Sequence, residues 1–276
     1  MSSILTIAQL TVWEARRKRV LVAALVCGLV FAAVFAVAVF LVSSNFEGHE
    51  PLRRQFDFVL LTVFGLFGAN FLSVLFAVLL PIDTLSGDID SGVMQTLASK
   101  PIRRADIVLG KWLGHWVIVI AYMALMCTAV MLMTSLAGRA VRIDALAGMP
   151  FIVLELTFVL TVAIAGGTRL STVTNGVVAL GFYGVAFIGG WMEQIGTLGG
   201  LQSVSNVGIA ASLVSPGDAM WRLGAYMMQP DLVRGRELLG PFVTPSVPNS
   251  LMVWWTVALT ALALIYAIRS FERRAL

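Results

Sequence analysis

Few side chains in this sequence could carry chemistry, and their placement narrows what the chemistry is. Glu155 is the one acidic residue that falls well inside an apolar run. An ionised carboxylate in hydrocarbon is costly, so the group must be protonated, paired or turned to water. Asn70 of an earlier run, and Thr128 or Thr134 of another, fall near the same depth. Glu155 and Asn70 are therefore candidates either for an interhelical hydrogen bond or for the lining of a translocation path. His49 and His115 fall on opposite sides of the bilayer and cannot share a metal. Met123, Met126, Met131 and Met133 cluster on one run. Thioethers suit soft metals such as Cu(I), but along one apolar helix they read as packing residues. Cys27 and Cys127 lie in apolar runs at different depths and read as free thiols. No metal site is expected, and no set of residues makes a catalytic site. No G-x-x-x-x-G-K-[ST] loop occurs, so the chain should bind neither ATP nor its magnesium by itself.

One polar stretch stands apart, DTLSGDIDSGVMQTLASKPIRRADIVLGK, from Asp83 to Lys111. Leu85, Ile89, Val93 and Leu97 recur every fourth residue and fall on one side of a short helix. Asp88, Asp90, Ser91 and Gln95 fall elsewhere on it. A helix with one apolar stripe outside the bilayer must bury that stripe in headgroups, in its own protein or in a partner. Pro101 disfavours helix at Lys100, and Arg103 and Arg104 follow. The stretch reads as a soluble elbow strung between two membrane spans.

The rest of the chain is what must hold that elbow. Of 276 residues 59% are hydrophobic and 12% charged, against roughly 25% charged in a soluble domain. That excludes a soluble globule, and a net charge of +4 gives no case for nucleic acid. The expected fold is an all-α polytopic membrane protein with six transmembrane helices in a single domain, 1–276. Residues 2–19 form an amphipathic interfacial helix, with Ile4, Leu5, Ala8, Val12 and Ala15 on its apolar stripe and a basic run, Arg16 to Arg19, at its end. The spans are 20–43, 58–82, 112–136, 145–166, 170–191 and 250–268, with the elbow at 83–111. The first span rises about 36 Å at ~1.5 Å per residue, more than the ~30 Å hydrocarbon core. It is longer than a signal-peptide core and no cleavage site follows, so no cleaved leader is expected. Residues 193–249 are too rich in Gly and Pro to span. They read as an extracytoplasmic segment with two short helices dipping into the outer leaflet, Val207–Val214 and Ala219–Met228, broken at Ser215-Pro216-Gly217; a surface loop that only connects is the alternative.

Six spans put both termini and the elbow on one side. Twelve of the 19 basic residues fall on that side. The seven others are Arg53, Arg54, Arg139, Arg142, Arg222, Arg234 and Arg236. The positive-inside rule then makes the termini and elbow cytoplasmic, in a cell's inner membrane.

The elbow GDIDSGVMQTLASKPIRRADIVLGKWLG resembles the loop between the second and third spans of ABC-2-type permeases. That loop usually reads G-E-x-E-x-G-T-L-x-x-L-L-S-x-P-I-x-R-x-x-I-L-L-G-K. Asp88 and Asp90 stand at its acidic positions, and Gly92, Leu97, Ser99, Pro101, Arg104, Gly110 and Lys111 match directly. Val93-Met94 replaces the usual Thr-Leu. An amphipathic start, six spans, an outer helical hairpin before the last span and an Arg-rich end extend the likeness over the whole chain. SPGDAMWRL and the final FERR are also similar to permeases grouped with copper-enzyme maturation, including the nitrous oxide reductase accessory permease.

The resemblance implies the membrane subunit of an ATP-driven exporter. Two such chains, alike or different, would form the path among membrane lipids, with a separate ATP-binding subunit under each. Asp88, Asp90, Gly92, Met94, Leu97, Pro101 and Arg104 would then form the dock for that subunit, which holds the ATP and magnesium. An extracytoplasmic accessory protein fits the outer segment. Two other readings stay open: a secondary transporter driven by an ion gradient through Glu155, and a non-transporting scaffold or sensor for an ATPase. Unchanged transport in Glu155→Gln would end the first of these.

Overall fold

In hydrocarbon no water satisfies backbone N–H and C=O groups, so each apolar run must close its hydrogen bonds within itself, as a helix. The computed structural model describes residues 3–45, 51–84, 87, 103–138, 144–229 and 246–274, and among them there is no strand. The helices are α1 (Ser3–Ala15), α2 (Arg19–Asn45), α3 (Pro51–Leu79), α4 (Arg104–Gly138), α5 (Ala145–Gly167), α6 (Thr172–Leu198), α7 (Gln202–Val214), α8 (Gly217–Met228) and α9 (Ser250–Glu272). Six of these, α2 to α6 and α9, are long and apolar enough to cross a membrane. The protein is an all-α polytopic membrane protein, as its composition requires.

Helix ends differ from the expected spans, and for one reason. Hydropathy marks where hydrocarbon begins, whereas a helix continues into the headgroups for as long as its hydrogen bonds close. Thus α4 starts at Arg104 rather than Trp112, and carries Lys111 within it. Likewise α3 starts at Pro51 rather than Phe58, and α6 runs on past Trp191 to Leu198. Where a helix does start sharply, a side chain caps it. Asp144, Ser171 and Asn249 accept from the third backbone N–H of α5, α6 and α9 respectively, which removes one orphan donor each.

The centre of the bundle is α3 and α5. In each, 56% of the most apolar window is buried, against 17% for α2 and 11% for α9 at the periphery. Trp112 and Trp116 of α4 donate to the Thr161 and Thr157 hydroxyls of α5 at 2.9 and 2.8 Å. These bonds hold two central helices in register.

α1 does not present the stripe expected of it. Its buried face is Ile7, Ala8, Thr11 and Ala15, whereas Leu5 is exposed. That face lies on Gly110 and Gly114 of α4, where an added Cβ would come within 2.6 Å of Ile7 Cβ and 2.7 Å of Thr11 Cβ. Leu5, Leu10 and Trp13 point away from the bundle. α1 therefore has two apolar faces, one docked on the protein and one left for the lipid interface.

α6 turns back through Gly200, whose φ of +66° favours glycine, and α7 returns along it. Small residues bring the two backbones together: a Cβ on Gly208 would lie 2.4 Å from Glu193 N, and one on Gly189 would lie 2.3 Å from Ala211 Cβ. α8 packs on the start of α5, where Gly148 and Gly224 face each other. Trp221 of α8 meets Phe67 of α3 edge to face at 5.7 Å.

Candidate functional site

Two groups of polar side chains are built into the bundle. In the first, Glu155 of α5 is fully buried and its Oε2 accepts from Asn70 Nδ2 of α3 at 3.1 Å. Depth matching had paired Glu155 with Asn70 or with a threonine; Thr134 instead bonds its own helix at Val130 O. Glu155 Oε1 and Asn70 Oδ1 have no hydrogen-bond partner among the described residues. Beside this pair lies a denser cluster that sequence reasoning missed. Arg222 of α8 is 1% exposed. Its Nη2 donates to Glu193 Oε2 of α6 at 2.8 Å and to the Ser212 hydroxyl of α7 at 3.2 Å, and its Nε sits 3.0 Å from Asp218 Oδ2. Ser246 donates to Glu193 Oε1.

A Cβ on Gly190 would overlap Asp218 Oδ2, so that carboxyl lies directly on the backbone of α6. Burial pushes Asp218 up to about 6, against the opposing pull of Arg222. Tyr183 is within electrostatic reach of both Glu155 and Asp218. Groups from α3, α5, α6, α7 and α8 thus meet in one polar interior. Arg222, first counted as an outer-loop charge, belongs inside. Glu155 is not the only buried acid: Glu193 and Asp218 join it.

The signal that could have found them was present. Asp218 and Arg222 stand four apart on a short, otherwise mostly apolar helix, and Glu193 follows a Gly189-Gly190 pair.

The second group fastens the roots of the elbow. Where α3 ends, Lys18 Nζ bonds Asp83 Oδ1 at 2.7 Å and lies 3.5 Å from Glu14 Oε1. Thr84 is held by α4 twice. Lys111 Nζ donates to Thr84 O at 3.2 Å, and the Thr84 hydroxyl bonds His115 Nε2 at 3.1 Å. His115 Nδ1 lies 2.7 Å from Lys111 O, which can only accept, so Nδ1 carries the proton and Nε2 accepts from Thr84. His115 is thus a buried packing histidine at the base of the elbow. At the other root, Arg104 Nη1 donates to the backbone carbonyls of Glu272 and Arg274 at 3.1 and 2.6 Å. Arg274 in turn donates to Thr168 O at 2.6 Å. Both roots, the end of α1, the α5–α6 turn and the end of α9 therefore share one end of the bundle. The remaining expected dock residues, Asp88, Asp90, Gly92, Met94, Leu97 and Pro101, lie outside the described residues. Met123 accepts from the Ser73 hydroxyl at 3.2 Å and lies against Cys127, which is packing chemistry.

These features define an integral membrane protein in which the buried Arg222 is paired with Glu193 and Asp218 and in which the polar connection at 83–111 is anchored at both roots. Its family is established by sequence: residues 5–276 match the model of the ABC-2 family transporter proteins, and the chain belongs to that family. It is therefore a membrane transporter component, the membrane subunit of an ABC transporter, in a family that normally works with an ATP-binding subunit. No curated protein sequence matches it.

Proposed function

We propose that this chain is the permease of an ATP-driven exporter. It works as a dimer, and a separate ATP-binding subunit grips the elbow at 83–111. Asp88, Asp90, Gly92, Met94, Leu97, Pro101 and Arg104 form the grip, and the partner alone holds ATP and magnesium. The observation that supports this reading is the anchoring of the elbow's roots. Asp83 and Thr84 close one side and Arg104 the other, and each is tied to other helices rather than only to its own. A loop that only connected two spans would need no such ties. A displacement of the elbow instead reaches α1, α3, α4 and the end of α9 together, a bistable element biased by nucleotide state elsewhere.

The orientation follows the positive-inside rule, with both termini cytoplasmic. Burial of Arg222 in an ion pair removes it from the outer loops, which leaves twelve basic residues against six. The α7–α8 hairpin then lies toward the outer end, where an accessory protein would meet it. For the elbow, Gly92→Pro or Leu97→Asp is expected to abolish co-purification of the ATP-binding subunit while the chain still inserts. Normal co-purification with both variants would overturn the dock.

A further inference from the structure

α6 and α9 both pack on α5 but hardly on each other. The gap between them is a groove of about 410 Å³. Its floor is Phe158 and Val162 of α5, and its walls are Val178 and Phe182 of α6 and Leu262 and Tyr266 of α9. Val214 of α7 closes the outer end, where Trp255 Nε1 of α9 also donates to Leu213 O at 2.8 Å. At the end of the bundle that holds the elbow roots, the groove opens into a second hollow of about 330 Å³. The two hollows share Leu262 and Tyr266, and the second is walled by Arg169, Arg269 and Arg273.

We propose that this is a binding site for one anionic glycerophospholipid. The phosphate sits among Arg169, Arg269 and Arg273, and one acyl chain lies in the groove. Three observations carry it. The first is charge. All three arginines are exposed, and none pairs with a carboxylate among the described residues. Arg169 Nε donates to the Ser270 hydroxyl at 2.8 Å, which orients that guanidinium and leaves its terminal nitrogens for a phosphate. The second is length. Leu259 and Arg269 are ten residues apart on α9, about 15 Å at ~1.5 Å per residue, or half of the ~30 Å hydrocarbon core. The groove therefore spans one leaflet and ends where that leaflet's phosphates lie.

The third is the position of Tyr266 at the junction of the two hollows, where an amphipathic ring marks the boundary between tail and headgroup. A second copy of the chain is the poorer occupant, because a two-fold interface sets the same patch against itself and would face arginines with arginines. A free phosphate leaves the apolar groove unexplained. Bound here, the lipid braces α9, the least buried of the six spans, against α6.

The test is lipid retention by the purified full-length chain, read by native mass spectrometry after exchange into detergent with phosphatidylglycerol or phosphatidylcholine. The expected result is one retained phosphatidylglycerol and no comparable phosphatidylcholine. In Arg269→Gln/Arg273→Gln, retention should weaken about twenty-five-fold, at about fivefold per arginine. Ala263 of α9 also lines the groove; Ala263→Trp fills it and keeps all three arginines, and it should abolish retention of phosphatidylglycerol. Circular dichroism confirms that each variant is folded. Four outcomes overturn the proposal: equal retention of the two lipids, unchanged retention in either variant, displacement by soluble glycerol phosphate alone, or a disulfide between two copies at Leu262→Cys.

Discussion

Arg222 is the bulkiest of the fully buried side chains, and its surroundings decide whether it stabilises the protein or endangers it. One guanidinium serves two carboxylates, Glu193 and Asp218, with Ser212 filling part of its remaining hydrogen-bonding capacity. Desolvating charges costs several kcal/mol per ion, and their attraction roughly offsets that cost only while every partner is present. Removing the cation alone should therefore be far worse than neutralising the whole cluster. Arg222→Met is expected to lower stability by about 3–5 kcal/mol. The triple variant Arg222→Met/Glu193→Gln/Asp218→Asn should recover most of that loss. Thermal unfolding in one detergent, followed by tryptophan fluorescence, makes the comparison. A single variant that melts with the unaltered protein would show that the cluster is not closed in the way described. Glu155 is different in kind, since among the described residues its only partner is the neutral Asn70 amide and one carboxyl oxygen has none.

At the scale of elements, the six spans were legible because hydrocarbon sets a length, and about 20 apolar residues satisfy it in one way only. That Asn70 lies at the depth of Glu155 was legible for a related reason, since depth along two helices can be counted; that it bonds Glu155, rather than Thr134 or Thr128 doing so, was not. Helix ends were less so, since Arg104 and Lys111 sit at an interface that ends the apolar pattern without ending the helix. The α7–α8 hairpin was legible as two short helices broken at Ser215-Pro216, but the burial of its charges was not. Its polar residues read as an outer surface because charge in an isolated segment signals water. Here Arg222 finds Glu193 29 residues earlier, a meeting whose cue lies in the spacing of Asp218 and Arg222 and in the glycines beside Glu193 rather than in the charge of the segment.

The packing of the hairpin was written more openly. Gly189, Gly190, Gly196 and Gly208 are the positions where α7 and α8 come against the α6 backbone, and a Cβ at any of them would collide with a neighbour. Glycines grouped beside a lone acid in an apolar helix mark close backbone approach. With the acid already at hand, they are the cue for a buried ion pair. The double face of α1 was missed for a similar reason. Gly110 and Gly114 are what let it dock, and they belong to a different helix.

Across the whole molecule, the arrangement concentrates its ties at one end. α1 lies on α4, Lys18 reaches from the end of α1 to Asp83, and Arg104 joins the start of α4 to the carbonyls after α9. None of these bonds is a strong source of stability. Asp83 is 47% exposed in its side chain, and exposed pairs of this kind are worth about 0–1 kcal/mol. Their value under the proposed mechanism is mechanical, because a pull on the elbow is shared among helices that reach the far side of the bilayer. The variant Lys18→Gln/Arg274→Gln, which releases Asp83 and the Thr168 carbonyl while leaving Arg104 in the grip, separates the two roles. It should stay folded, losing at most about 1 kcal/mol from the exposed ion pair and about 3 kcal/mol from the charged hydrogen bond to Thr168 O, and should keep the ATP-binding subunit through co-purification. It should nonetheless transmit less of the nucleotide-driven movement.

A spin label at Leu146, exposed at the start of α5 and so at the end away from the elbow, reports that movement as the distance between labels on the two permease chains. In the unaltered assembly the distance should differ between the ATP-trapped and nucleotide-free states, and in the double variant the difference should shrink by more than half. A full change in the variant would mean that the elbow drives α3 and α4 without these ties. No change in the unaltered protein would remove the elbow as a transmission element altogether.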